Sequence, residues 1–195
     1  MVDTIRTTAQ NLSNMPLGIN AISGQNLRDN LVSLTAKTGF FDYNDLATAS
    51  SPITITGGAG ATPLTNDELG PFTNKTYPPA LVTDVWDASG GVFDWSELNL
   101  GDMVDLRLDL SVTIASTNTE INIDLHLGAG GGVYTIPFIP LVNVKSTGSY
   151  RGLRYNGIYM GDANTLNNGG QFKMSADKTC TVRVNGWYCK VTKYA

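Results

Sequence analysis

This sequence offers few side chains able to move protons or hold a metal near neutral pH. His126 is the only histidine among 195 residues. It lies in the alternating run "DLRLDLSVTIASTNTEINIDLHLG", residues 105–128. Folding that run as a hairpin about Thr117-Asn118 sets Asp109 opposite His126. Such a pairing should raise the imidazole pKa, because the carboxylate favours the charged ring. Asp124 could join them around a metal, but one imidazole and two flexible carboxylates are a poor ligand set. A Ser–His–Asp hydrolase would need this same imidazole, and no GxSxG string supplies a nucleophile. The expectation is a polar outer face with no catalytic residue, no metal and no cofactor.

Other motif-like strings fail on spacing. "GAGGG" (128–132) follows a strand, but Val133 stands where a dinucleotide loop needs its last glycine, and strand-like "VYTIPF" replaces the required helix. "DANTLNNGG" opens like a calcium loop at Asp162 and Asn164, then places Leu166, Asn167 and Lys173 where a ligand, a glycine and a glutamate belong. Asp84/Asp87 and Asp94/Glu97 could mimic a glycosidase couple, though acidic residues beside turns are commonplace. Tyr150, Tyr155, Tyr159, Tyr188 and Tyr194 suit a contact surface as well as a core edge. Cys180 and Cys189 flank Asn185-Gly186, a strong two-residue hairpin signal. That hairpin would leave the thiols diagonal, roughly 7–8 Å apart, too far for a bridge. Two free, buried thiols are expected.

Bulk composition narrows the partners. Hydrophobic residues make up 42% and charged residues 15%, and the net charge is −4. No basic cluster exists to hold nucleic acid or anionic lipid. The N-terminus lacks the basic start and apolar core of a signal peptide. No stretch has the roughly 18 apolar residues of a membrane helix. Synthesis and assembly in a cytoplasm are expected.

These side chains must be positioned mainly by strands. Residues 1–80 hold one amphipathic stretch, "SGQNLRDNLVSL", with Leu27, Leu31 and Leu34 at helical spacing and Ser23 as N-cap. Pro63, Pro71, Pro78 and Pro79 interrupt the rest of this part. It reads as an arm that lies on something else. Residues 81–195 read as an all-β domain, an antiparallel sandwich or jelly roll, with short strands at close intervals. In the run 105–128, Leu106, Leu108, Leu110, Val112 and Ile114 share a face, as do Ile121, Ile123, Leu125 and Leu127. A one-residue slip would send every one of them to water, so that face is core.

Three segments resemble a known group together: "ISGQNLRDNLVSL", "FDWSELNLGDMVDLRLDL" and "SADKTCTVRVNGWYCKV". The combination resembles small virion-surface proteins of tailed bacteriophages, in which an N-terminal segment precedes a trimeric jelly roll like that of tumour necrosis factor. The resemblance implies a homotrimer in the virion, with the arm bound to the major capsid protein or another virion protein. Leu27, Leu31, Leu34, Phe40 and Phe41 would then bury against that partner. It brings no catalytic residues. Capsid decoration (cement) or a head fibre fits best, since no shaft, heptad or β-helical repeat gives reach. The alternative is a tail-fibre tip touching host surface glycans through 128–132 and 164–170. A β-sandwich polysaccharide hydrolase is the reading from another class.

Overall fold

The computed structural model describes residues 27–28, 37–128 and 133–194. In chain order the elements are β1 (Thr38–Asn44), α1 (Ala47–Ser50), β2 (Ile53–Ile55), β3 (Thr62–Pro63), β4 (Asn74–Tyr77), β5 (Trp86–Asp87) and β6 (Val92–Phe93). There follow β7 (Met103–Ile114), β8 (Thr119–Leu127), β9 (Tyr134–Val144), β10 (Gly148–Tyr159), α2 (Ala163–Asn168), β11 (Gly170–Ala176) and β12 (Cys180–Thr192). They form two antiparallel sheets packed face to face, a jelly-roll sandwich. One has the order β10-β7-β12-β1-β4 with β2 also on β12; the other is β5-β6-β11-β8-β9 with β3 also on β11.

Strict alternation in β7 and β8 builds the middle of each sheet. Every even residue of β7 from Val104 to Ile114 is buried, and so is every odd residue of β8. The two strands are not a hairpin, however. β12 and β10 flank β7, while β11 and β9 flank β8. The turn at 115–118, with Asn118 at a φ of 51°, carries the chain from one sheet to the other. Both apolar faces therefore meet across the core. Alternation fixes which face turns inward and leaves the hydrogen-bonded neighbour open.

Asn185-Gly186 also differs from expectation. β12 runs straight through it, and the ladder to β7 shifts register between Val184 and Gly186. This is a bulge in one long strand. A Cβ on Gly186 would lie 2.5 Å from the Tyr43 carbonyl oxygen, so close approach of β1 requires glycine there. Cys180 and Cys189 are both free and buried. Cys180 opens β12 and Cys189 follows along the same strand, about 30 Å away at some 3.3 Å per residue.

The sandwich begins well before residue 81. β1 lies between β12 and β4, β2 pairs with β12, and β3 pairs with β11. Phe41, Tyr43, Ile55 and Leu64 are wholly buried. The proline-separated pieces of 38–77 are thus strands and edges of the sandwich, too short to show a period. At the centre, Trp187 packs edge-on against Trp86 with centroids 4.6 Å apart, and Phe93, Phe172 and Phe138 extend the cluster. Such aromatic contacts add to the burial of their large apolar areas.

Candidate functional site

Asp109 and His126 belong to different sheets, which overturns the expected pair. Asp109 accepts from Arg151 Nε and Nη2 at 3.0 and 2.5 Å and from Asn185 Nδ2 at 2.9 Å. Despite partial burial, these partners hold its carboxyl below the usual range. His126 is half-buried on β8 between Gln171 and Thr135. Burial and the nearby Lys173 ammonium lower its pKa, with Asp124 opposing them. The expected upward shift is therefore reversed.

Asp87, Asp94, Glu97 and Asp162 serve local structure. Asp87 accepts from Ser89 and Gly90, and Asp94 from the Ser96 N–H. Glu97 holds Thr83 through its backbone and hydroxyl. Asp162 caps α2 by accepting from the Thr165 N–H at 2.8 Å. Among the described residues, no three His, Cys, Asp or Glu converge as a metal site. What the geometry offers is a jelly-roll scaffold with contact surfaces.

One of these surfaces crosses the outer face of the β10-β7-β12-β1-β4 sheet. Tyr77 on β4 meets Phe40 on β1 with ring centroids 5.5 Å apart, and Phe40 stacks on Tyr188 of β12 at 5.7 Å. The Arg107 guanidinium on β7 lies 5.2 Å over the Tyr188 ring, a cation–π contact. Tyr155 on β10 is the register partner of Arg107. Five side chains on five adjacent strands thus make one transverse band, with Tyr77 49% and Tyr155 55% exposed. Arg107 Nη2 reaches Asp42 at 3.5 Å. Burial raises the Asp42 carboxyl pKa against the pull of that guanidinium, and burial with the adjacent Tyr155 phenol raises that of Tyr188.

Beside the band, the sandwich is open between its edge strands β9 and β10. A groove of about 380 Å³ there reaches Leu110, Ile121 and Ile139 of the core, rimmed by Val142, Tyr150 and Leu153. Leu153 on the rim and Leu141 outside it are both exposed. A second cleft, about 360 Å³, lies between Tyr134 and Tyr159 next to Asp162. Exposed apolar and aromatic side chains thus line both edge strands.

Of the residues expected to bind a partner, Phe40 lies in the band. Phe41 points into the core with no exposed surface and cannot also cover a partner, because alternation along β1 puts the neighbours on opposite faces. Leu27 is helical and exposed; Leu31 and Leu34 lie outside the described residues, as do 129–132. The band itself was not foreseen. Phe40, Tyr77, Tyr188 and Arg107 are far apart in sequence and meet only through non-local pairing.

No protein-family model matches the chain, and no curated protein sequence does. Among solved structures it is similar to the Eiger TNF of S. frugiperda at 12% identity and a TM-score of 0.41, covering 83% of this chain and 94% of that one. An infectious bursal disease virus (Gx strain) structure gives 8% and 0.35, covering 81% of this chain and 30% of that one. The globular domain of zebrafish complement 1qA protein gives 9% and 0.33, covering 82% and 98%. Strand order and register, rather than these distant likenesses, define the jelly roll.

Proposed function

We propose that this chain is a non-enzymatic structural protein of a bacteriophage virion, a homotrimeric decoration (cement) or head-fibre protein on the capsid exterior. The observation that carries the self-association is the band Tyr77–Phe40–Tyr188–Arg107–Tyr155. Tyrosine and arginine held rigidly on a sheet are the side chains that dominate protein contacts, because they bury large areas at little entropic cost. The apolar groove at β9 and β10 supplies a second surface of matching character. The N-terminal residues, with Leu27, Leu31 and Leu34, are the attachment segment to the major capsid protein or a neighbouring virion protein. Among the described residues the sandwich starts at Thr38, so the test removes residues 1–36.

Two measurements test this reading. Light scattering should give three times the 20.8 kDa chain mass, and a monomer at high concentration would refute the trimer. The chain lacking 1–36 should remain trimeric while no longer coating capsids; if it still coats them, attachment lies elsewhere. A second reading, a fibre tip that contacts host glycans, draws on exposed Tyr134 and Tyr159 lining a cleft beside Asp162. Tyrosine faces can stack on sugar rings, and binding of the folded protein to host surface polysaccharide, lost in Tyr159→Ala, would favour it.

A further inference from the structure

On the far side of the sandwich from β9 and β10, three charged side chains converge that the contact surfaces leave unused. Lys75 lies on β4, the outer strand of its sheet, and Asp84 lies just before β5, the outer strand of the other. Lys75 Nζ is 2.6 Å from Asp84 Oδ2 and 2.5 Å from Glu68 Oε2. The three side chains are 26–35% exposed, yet Glu68 Oε2 itself is sealed from solvent. Glu68 is held with a φ of 54°, a left-handed conformation that a non-glycine residue adopts at some energetic cost. The floor is the buried Tyr43 ring, whose centre is 5.4 Å from Lys75 Nζ.

The other oxygen of Asp84 faces three donors. Oδ1 accepts from the Tyr43 hydroxyl at 2.5 Å, the Val85 N–H at 2.8 Å and the Trp86 N–H at 3.3 Å. One carboxylate oxygen is thus surrounded like an oxyanion, the other touches an amine, and a second carboxylate touches the same amine. This is the arrangement needed to condense an amine with an acid. The Val85 and Trp86 N–H groups belong to the turn that follows Asp84; the Tyr43 hydroxyl and the second carboxylate are what a surface ion pair would not need.

We propose that Lys75 and Asp84 are a site of intramolecular amide formation, with Glu68 as the proton shuttle. A proton passes from the Lys75 ammonium through Glu68 to Asp84 Oδ2. The freed amine attacks Cγ, and the charge that develops on Oδ1 is held by Tyr43, Val85 and Trp86. Glu68 then takes a second proton from the nitrogen and delivers it to Oδ2. The Cγ–Oδ2 bond breaks, water leaves, and an Nζ–Cγ amide remains. Two protons and one oxygen depart as water, so no oxidant or co-reactant is needed. The product ties the outer strand of one sheet to the approach of the outer strand of the other.

The magnitudes make the step slow but feasible. At ordinary pKa values the neutral amine–acid form of a Lys–Asp pair is about one part in three million. Well-oriented intramolecular reactions gain roughly 10⁵–10⁸ M in effective concentration, which offsets that scarcity. Burial opposes the Lys75 charge, but its close contacts with Asp84 and Glu68 outweigh burial and raise its pKa, which makes the neutral amine scarcer than that figure and slows the step. The reactive tautomer carries as many protons as the ion pair, so the rate should be flat across roughly pH 5–9, between the two ordinary ranges.

Intact-mass measurement of the purified full chain, fresh and after prolonged incubation at neutral pH, tests the proposal without any variant. The expected result is a growing species lighter by one water. It should resist trypsin after Lys75, and its fragment spectrum should join Lys75 to Asp84. Glu68→Gln should slow its appearance at least tenfold, and Lys75→Arg, which keeps the charge, should abolish it. An aged, folded wild-type chain of unchanged mass that trypsin cleaves after Lys75 would overturn the proposal. So would a water loss mapped to other residues.

Discussion

The hydroxyl of Thr48, on α1, accepts a hydrogen bond from the Val184 N–H at 2.9 Å, at the edge of the β12 bulge. The same hydroxyl is 2.5 Å from Asp45 Oδ2 and 3.1 Å from the Val184 carbonyl. Its single proton goes to the nearer, charged oxygen. Asn44 completes the repair, donating through Nδ2 to the Asn185 carbonyl at 2.6 Å. The bulge thus borrows partners from the end of β1 and from α1, which is why the chain can bend there without leaving buried backbone groups unpaired.

Thr48→Val keeps the shape and removes that acceptor. The Val184 N–H would then be buried without a partner, which costs about 1–3 kcal/mol. Denaturant unfolding should show the midpoint falling with an unchanged slope, and Thr48→Ser should recover most of the loss. An unaffected midpoint would mean that solvent reaches the bulge.

His126 should titrate below the ordinary imidazole range. Its folded pKa is lowered by burial and Lys173, so the unfolded chain takes up a proton at higher pH than the folded one. The associated stability is complete above the unfolded value of about 6.5 and declines as pH falls from there through the folded value. NMR titration should show the midpoint rising in Lys173→Gln, falling further in Asp124→Asn, and unmoved in Asp109→Asn. A shift in the last variant would put Asp109 and His126 in one sheet after all.

What the sequence made legible was inwardness; what it hid was adjacency. Val104 to Ile114 and Ile121 to Leu127 alternate so strictly that their buried faces follow from period alone. Whether Ile114 pairs with Ile121 or with Cys180 and Gly148, as it does, depends on strands some 30–70 residues away. Asn185-Gly186 misled for a related reason. A glycine required by a neighbouring carbonyl looks identical, in sequence, to one required by a turn. Phe40 and Phe41 show the limit most plainly: both are aromatic and adjacent, yet one is core and the other surface, and only the register of β1 against β12 distinguishes them.

Both thiols should be inert in the folded chain. Burial raises the Cys180 pKa and, more strongly, that of Cys189, and the thiolate is the reactive form. A thiol-specific chromogenic reagent should label neither in native buffer and both in denaturant, with no bridge formed on mild oxidation. Rapid native labelling of Cys189 would show that β1 and β12 open locally.

If the aromatic band is the self-association surface, its members must matter to assembly and not to folding. Tyr188 and Arg107 are the test pair, because each is half-exposed on the outer face while the core beneath is formed by Leu106 and Leu108. Truncating a central tyrosine or arginine of a contact typically costs about 2 kcal/mol or more, close to 25-fold in dissociation constant. Sedimentation of Tyr188→Ala and Arg107→Ala should therefore show dissociation at concentrations where the parent is assembled, while unfolding of the protomer changes by less than about 1 kcal/mol. Combining them should give less than the sum, since the guanidinium rests on the ring that the other substitution removes. Variants that stay associated would move the contact to the groove at β9 and β10, where Leu153→Arg should then dissociate the assembly. If all three variants stay assembled, self-association lies on neither surface, and the exposed tyrosines would need a partner of another kind.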